Sequence, residues 1–167
     1  MKPRLAVILL LAALLTGAEQ LPLAGHAAIV FDGDTFLLAP AAGGRKIKVR
    51  LFGIDAPEST QPYGAEATRK LRQLLASRTL RIQPVNRDQY GRLVAIVFAG
   101  DADAGLELLR CGLAWHYRRY SEDARYADAE TEARCARVGL WRDPTPVPPW
   151  DFRHSRTPAS KPRRIKR

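Results

Sequence analysis

Between Arg45 and Phe52 the chain alternates with a period of two: Lys46, Lys48 and Arg50 fall on one side, Ile47, Val49 and Leu51 on the other. Such a segment is stable only as a strand with one face buried, and a one-residue slip would invert every side chain, so it also fixes the register of its neighbours. Ala24 to Phe31 reads as a strand closed by an Asp-Gly turn, and Thr35 to Ala39 as its hairpin partner. Leu80 to Val85 and Leu93 to Ala99 read as two further strands. A helical period intervenes at Ala65 to Ser77, where Leu71, Leu74 and Leu75 form one apolar stripe. Ala104 to Arg110 reads as a short helix, with Gly112 where a C-cap would sit. Ser121 to Val138 reads as a longer one, with Ser121 as N-cap and Glu122 and Asp123 near the positive end of its dipole. Hairpins with a helix inserted between strands fit an α+β chain: a five-stranded Greek-key β-barrel with three packed helices, the OB-fold.

The two ends read differently from this body. Lys2 and Arg4 give a basic start, and Leu5 to Leu15 run apolar. That run is too short for a membrane span, which needs about 20 residues, but suits the core of a signal peptide. Thr16-Gly17-Ala18 offers small residues for cleavage after Ala18, whereas cleavage at Gly25-His26-Ala27 would cut into the first strand. Residues 1–18 are therefore expected to be a signal peptide, 19–142 the folded domain, and the protein secreted or periplasmic. From Asp143 on, Pro144, Pro146, Pro148, Pro149, Pro158 and Pro162 crowd the chain. Residues 143–167 are accordingly expected to be non-helical, a strap pinned by Trp150 and Phe152 and then a disordered basic tail. The formal charge of +10 points to an anionic partner. Arg153, Arg156, Lys161, Arg163, Arg164, Lys166 and Arg167 follow Asp151 with no acid among them, and leave the body nearly balanced in charge. Such a tail would strengthen binding to nucleic acid by counterion release.

The chemistry is concentrated in three short segments: Val30-Phe31-Asp32-Gly33-Asp34-Thr35, Val49 to Glu58, and Asp88-Gln89-Tyr90-Gly91-Arg92. Carboxylates hold a hard cation and arginines clamp a phosphate, the combination that metal-assisted cleavage of a phosphodiester requires. Asp-Gly alone is a common hairpin turn, so Asp32 and Asp34 gain weight only together with Asp55 and Glu58. Pro57 holds Ala56 extended, which can turn the Ala56 carbonyl outward beside Asp55. Two carboxylates, a carbonyl and waters suit calcium or magnesium, and the absence of Cys and His from these segments argues against zinc. Strict alternation puts Arg50 and Asp55 on opposite faces. Gly53 is a place for a bulge that would make them converge; without it Arg50 is one more cation on a solvated face with Lys46 and Lys48. Periodicity does not choose between the two. Arg92 is a surface arginine after a turn or a second guanidinium facing the phosphate. Tyr90 either stacks on a sugar or base, or packs at a strand start. His26, His116 and His154 lie at no telling spacing from a serine, cysteine or carboxylate, and read as structural or surface residues.

The order and spelling of these segments resemble the staphylococcal nuclease (thermonuclease) family, from about Ala24 to Trp141. The resemblance implies an OB-fold endonuclease that uses calcium (Ca2+) to cleave DNA and RNA, leaving 3′-phosphates. It implies Asp34, Asp55 and the backbone carbonyl of Ala56 as calcium ligands, Glu58 as the acid that positions or activates water, and Arg50 and Arg92 as the phosphate arginines. Asp32 matches an acid that supports the metal from behind its ligands; Thr35 and Tyr90 also match. Ala56 stands where the staphylococcal enzyme has threonine, a change that a backbone carbonyl survives. The stretch from Glu58 to Tyr63 is much shorter than the loop there, which bears on substrate preference. The nucleotide-stacking tyrosine expected after Ala114 is Tyr117 or Tyr120, and the resemblance does not choose. Two rival readings are an OB barrel that binds nucleic acid or protein without catalysis, and a basic-tailed surface adhesin. Retention of every matched acid and arginine favours the enzyme. A monomer is the default.

Cys111 ends the short helix and Cys135 lies late in the long one. An exported chain meets an oxidising compartment and an even count leaves no orphan thiol, so one disulfide stapling the two helices is expected. The alternative is two buried free thiols, each packing as a small apolar residue.

Overall fold

The computed structural model describes residues 23–156, so the expected signal peptide and the tail beyond residue 156 lie outside the described residues. Five strands form the barrel: β1 (Leu23–Val30), β2 (Thr35–Pro40), β3 (Ile47–Leu51), β5 (Leu80–Arg87) and β6 (Leu93–Ala99). They pair in the order β3-β2-β1-β5-β6, and a parallel pairing of β3 with β6 closes the ring. The remaining strands are two-residue pieces: β4 (Ile54–Asp55) pairs with β8 (Trp115–His116), and β7 (Ala102–Asp103) extends the edge of β6. The alternating pattern in β6 points Leu93, Ala95, Val97 and Ala99 inward, where they meet Phe36, Leu38, Val49, Leu51 and Ile82 from the other strands. Pro84 sits beside a bulge in β5, where a missing donor does no harm to the ladder.

The helices cover the barrel. Helix α1 (Gly64–Leu75) buries Ala67, Leu71 and Leu75, and α2 (Ala104–Arg110) buries Leu108 and Leu109. Helix α3 (Ala124–Cys135) starts three residues later than expected: Asp123, not Ser121, caps it, accepting from the Arg125 N–H at 3.0 Å. A carboxylate outcompetes the serine as acceptor here, and the Ser121 hydroxyl instead accepts from the Asp123 N–H at 3.3 Å. Trp115, Ala133, Leu140 and Trp141 form a second apolar cluster at the far side of α3.

Two expectations need correction. Residues 143–167 are not free of helix, because Pro149–Arg156 forms a fourth helix, α4. Pro149 occupies the first position, where the lost N–H is an orphan in any case and the fixed φ suits the helix. Trp150 does pin the segment, packing against the second cluster. The disulfide is also absent: Cys111 and Cys135 are free thiols, the first half-buried and the second exposed. The buried stripe of α3 is Tyr126, Ala129, Glu130 and Ala133. Two residues turn a helix by about 200°, so Cys135 points away from the face that carries Ala133.

Helices α2 and α3 are joined instead by a buried carboxylate. Asp103 caps α2 through the Gly105 and Leu106 N–H groups at 2.9 and 3.2 Å. The Tyr126 hydroxyl donates to both Asp103 oxygens at 3.0 and 2.9 Å, and burial together with that carboxylate holds the phenol well above its usual range. Replacing Tyr126 with Phe should destabilise the fold by about 1.5–3 kcal/mol, the range for a hydrogen bond to a charged group. Urea denaturation with an unchanged slope would record it; a shift below about 0.5 kcal/mol would mean the helix N–H groups alone satisfy Asp103.

Candidate active site

The β1–β2 turn aims the first acid. The Asp32 side chain accepts from the Asp34 N–H at 3.1 Å, and the Phe31 N–H reaches the Thr35 carbonyl at 3.0 Å. Gly33 is required by close approach: a Cβ there would lie 2.6 Å from the Cβ of Ala56 and 2.7 Å from that of Ala67. That contact brings Asp34 against the next segment, where its Oδ2 accepts from the Ala56 N–H at 3.1 Å. Its Oδ1 accepts from the Thr35 hydroxyl at 2.8 Å. Thr35 is paired with Arg50 across β2 and β3, and Arg50 with Val94 across the parallel seam. Closure of the barrel therefore sets Arg50 between the acid turn and the strand that follows Arg92.

Gly53 decides the question that alternation leaves open. Its φ of +73° turns the chain out of β3 into β4, which changes partner to β8, and its carbonyl accepts from the Tyr117 N–H at 2.9 Å. Arg50 and Asp55 converge as a result. One arm of the guanidinium pairs with Asp34 at 2.6 Å, and the other with Asp55 at 2.8 Å and the Ile54 carbonyl at 3.3 Å. Asp55 is fully buried, and the Arg50 side chain is only 16 % exposed, so the solvated-face reading fails. Burial works against the charge of Arg50, but Asp34 and Asp55 overrule it and hold the guanidinium more basic than usual. Burial likewise opposes the charge of Asp34, and Arg50 with the Ala56 N–H and Thr35 hydroxyl still hold its carboxyl below the ordinary range. Asp32 has no such cation: burial, with the Asp34 charge behind it, pushes it up to about 6.

Arg92 is held by Asp88, which sequence reading left without a role. Its Nε donates to Asp88 at 2.6 Å, and the same carboxylate accepts from the Arg92 and Tyr90 N–H groups at 3.0 Å each. The other end of Arg92 reaches the Thr35 hydroxyl at 3.5 Å, so Thr35 touches both Asp34 and the second arginine. Tyr90 is 75 % exposed, with Arg92 5.5 Å from its ring centre, which rules out the packing role at a strand start.

Sequence reading missed one residue entirely. Arg153, assigned to the tail, enters the site from α4: it pairs with Asp55 Oδ2 at 2.7 Å and with Glu58 Oε1 at 2.7 Å. Three residues earlier Trp150 stacks on Tyr117, the ring centres 5.1 Å apart and the planes 10° from parallel. Pro149 followed by Asp151 in a first turn was the available signal of a helix start. Gln61 ties the shortened loop to the strap, accepting from the Glu58 N–H at 2.8 Å and donating to the Val147 carbonyl at 3.2 Å. Tyr120 is exposed and meets the edge of Tyr117 at 4.8 Å.

One cleft of about 840 Å³ gathers Asp32, Asp34, Arg50, Asp55, Ala56, Glu58, Tyr90 and Arg92, together with Tyr117, Tyr120 and Arg153. A single guanidinium already spans Asp34 and Asp55, so the two carboxylates lie within reach of one cation. No Cys or His lines the cleft, and the donors are hard oxygens, which fits calcium or magnesium. Among the described residues no group of three or more His, Cys, Asp or Glu side chains converges as a metal cluster. A cation here would therefore draw the rest of its shell from backbone carbonyl and water.

The raised Asp32 gives the site a pH signature. A carboxyl whose folded value stands above its ordinary 3.8 takes up its proton more readily in the native state, so its contribution to stability falls as pH rises from about 4 to about 6. Asp32→Asn retains an acceptor for the Asp34 N–H and removes that penalty. In chelator-treated protein the variant should melt higher than wild type near neutral pH and show a flatter profile across that window. Parallel melting profiles would contradict the assignment.

Residues 48–143 match the model of a family described as staphylococcal nuclease homologue. That span holds Arg50, Asp55, Glu58 and Arg92; Asp34 precedes it, and the β1–β2 turn delivers it to the same cleft. A protein of Escherichia coli O157:H7 named "Uncharacterized endonuclease" is 37% identical over 131 residues, 78% of this chain and 84% of that protein. A Haemophilus influenzae protein of the same name is 36% identical over 124 residues, 74% of this chain and 69% of its own. "Staphylococcal-like nuclease CAN1" of Arabidopsis thaliana is 36% identical over 132 residues, which are 79% of this chain but 39% of the plant protein. With the closed barrel, the gathered acids and arginines and these matches in hand, the chain belongs to the staphylococcal nuclease family.

Proposed function

We propose that this protein is a calcium-dependent endonuclease that hydrolyses DNA and RNA to products with 3′-phosphates. The observation that carries the reading is the reach of Arg50 across Asp34 and Asp55, which marks one position for a cation beside a water-handling acid and phosphate-binding arginines. Asp34, Asp55 and the Ala56 carbonyl are the residues that would hold calcium, whose chemistry is to withdraw charge from a non-bridging phosphate oxygen. Glu58 is half-buried at the mouth of the cleft, with its backbone fixed by Gln61. Its carboxylate orients a water and accepts its proton as the water oxygen attacks phosphorus. The bond to the 5′-oxygen breaks, that oxygen leaves as a 5′-hydroxyl with a proton drawn from solvent, and the other fragment keeps a 3′-phosphate. Arg92, held by Asp88 and Thr35, faces the phosphate oxygens, where charge grows during in-line displacement. Arg50, whose two arms pair with Asp34 and Asp55 in this structure, would turn to those oxygens when a metal takes the carboxylates. Phosphoryl transfer leaves a protein little covalent work, so such preorganised donors carry most of the effect.

The exposed Tyr90 flanks the phosphate arginine, and Tyr117 and Tyr120, edge to face with ring centres 4.8 Å apart, are the rings that could stack a base. The same reading places the enzyme outside the cytoplasm, on the composition of residues 1–18, and has it act as a monomer, since one chain supplies every group of the site. No helix among the described residues is long and apolar enough to cross a membrane.

Separating the metal from the water-handling acid tests the assignment. Glu58→Gln should retain calcium binding in a calorimetric titration while losing at least about 100-fold in turnover, the lower end for removal of a general base. Asp34→Ala should lose calcium affinity itself. Full activity in Glu58→Gln would remove Glu58 from the mechanism.

A further inference from the structure

We infer that α4 is a built-in plug of the nuclease site, with Arg153 standing in for the metal and Trp150 for a stacked base; this rests on the reading of the cleft just given. Every oxygen of the two proposed ligand carboxylates is already engaged by a donor. Asp34 Oδ1 accepts from Thr35, and its Oδ2 from Arg50 and the Ala56 N–H. Asp55 Oδ1 accepts from Arg50 and, at 3.4 Å, from Arg153, and its Oδ2 from Arg153 at 2.7 Å. Arg153 also takes Glu58, the one acid left to handle water. Arg153 is the donor at Asp55 Oδ2, and like charges a few ångströms apart repel, so Arg153 and a divalent cation compete for that oxygen.

The other half of the cleft is covered by the same helix. Trp150 lies parallel on Tyr117, on a ring face that a nucleobase would use, and braces its edge on Trp115 at 5.7 Å. One eight-residue helix thus fills both the metal side and the base side. It is suited to leaving. Asp151, Arg153, His154 and Ser155 are exposed, and α4 is entered through a proline-rich strap rather than from the barrel. The sequence beyond it carries Lys161, Arg163, Arg164, Lys166 and Arg167 with no acid, so a polyanion that engages those cations pulls on the end of the plug. Release is then coupled to arrival of substrate.

Calorimetric titration of calcium into the full chain, compared with Arg153→Ala and Arg153→Lys, tests the plug. Arg153 is a partly exposed surface residue, so both variants should fold. Arg153→Ala should bind calcium about 10-fold tighter or more, the effect of removing one competing charge-assisted contact. Its kcat on DNA at saturating calcium should equal wild type, with the gain confined to low calcium. Arg153→Lys keeps the charge but loses the fork across Asp55 and Glu58, so it should fall between the two. A phosphorothioate oligonucleotide with calcium should shift the tryptophan emission of wild type, and Trp150→Phe should abolish the shift. Unchanged calcium affinity in Arg153→Ala, or Arg153→Lys identical to wild type, would overturn the plug by reducing Arg153 to a structural contact or a distant charge. A fall in kcat at saturating calcium would overturn it by making Arg153 a participant in the reaction, and an emission shift surviving in Trp150→Phe would overturn the base-side half. Calcium binding that depends on Asp34 in all of these proteins but ignores Arg153 sinks only this inference. Failure of every variant to bind calcium sinks the nuclease reading beneath it as well.

Discussion

Arg50 spans two buried carboxylates at the seam of the barrel, and the rest of the site depends on that contact. An unpaired buried charge costs on the order of several kcal/mol, and Arg50 is the cation that the buried Asp34 and Asp55 share. Their partner is placed by backbone pairing alone. Antiparallel register sets Arg50 opposite Thr35, and parallel register sets it opposite Val94. The β2–β3 register thus brings Asp34 its cation, and closure of β3 on β6 adds the strand that follows Arg92 to the same place. Thr35 extends the link to Arg92, so Asp34, Arg50, Asp55 and Arg92 form one connected network rather than a set of neighbours.

The network also explains why two acids of the same turn differ in character within one cleft. Asp34 is held below its ordinary range by the cation and amide it faces. Asp32, two residues before it and without a cation of its own in that balance, is driven up by burial and by the charge of Asp34. Below about pH 6 a proton on Asp32 relieves its repulsion with Asp34.

Much of this was legible in the sequence. The alternation of β3 and β6, the stripe of α1 and the span of α2 are set by periodicity and local caps, and the structure follows them closely. The matched acids and arginines do share one cleft. What was not legible has a physical pattern. The convergence of Arg50 and Asp55 depends on a positive φ at Gly53 and a change of strand partner, and neither appears in a period-two pattern. Helix α4 was hidden because proline reads as a breaker, whereas at a first helical position it is neutral. The cysteine pairing failed on helical phase, which count and compartment do not encode. Arg153 was counted as tail charge, and only the tertiary position of α4 lays it against Asp55 and Glu58.

On the reading proposed above, Asp34, Asp55 and Glu58 would form a metal-dependent phosphodiesterase site. The most direct measurement is cleavage of linear DNA by the full chain in calcium and, separately, in excess chelator, with the new ends typed chemically. The account predicts cleavage only with the metal and new ends that carry a 3′-phosphate. Equal cleavage in chelator, or new ends with a 3′-hydroxyl and 5′-phosphate, would contradict it.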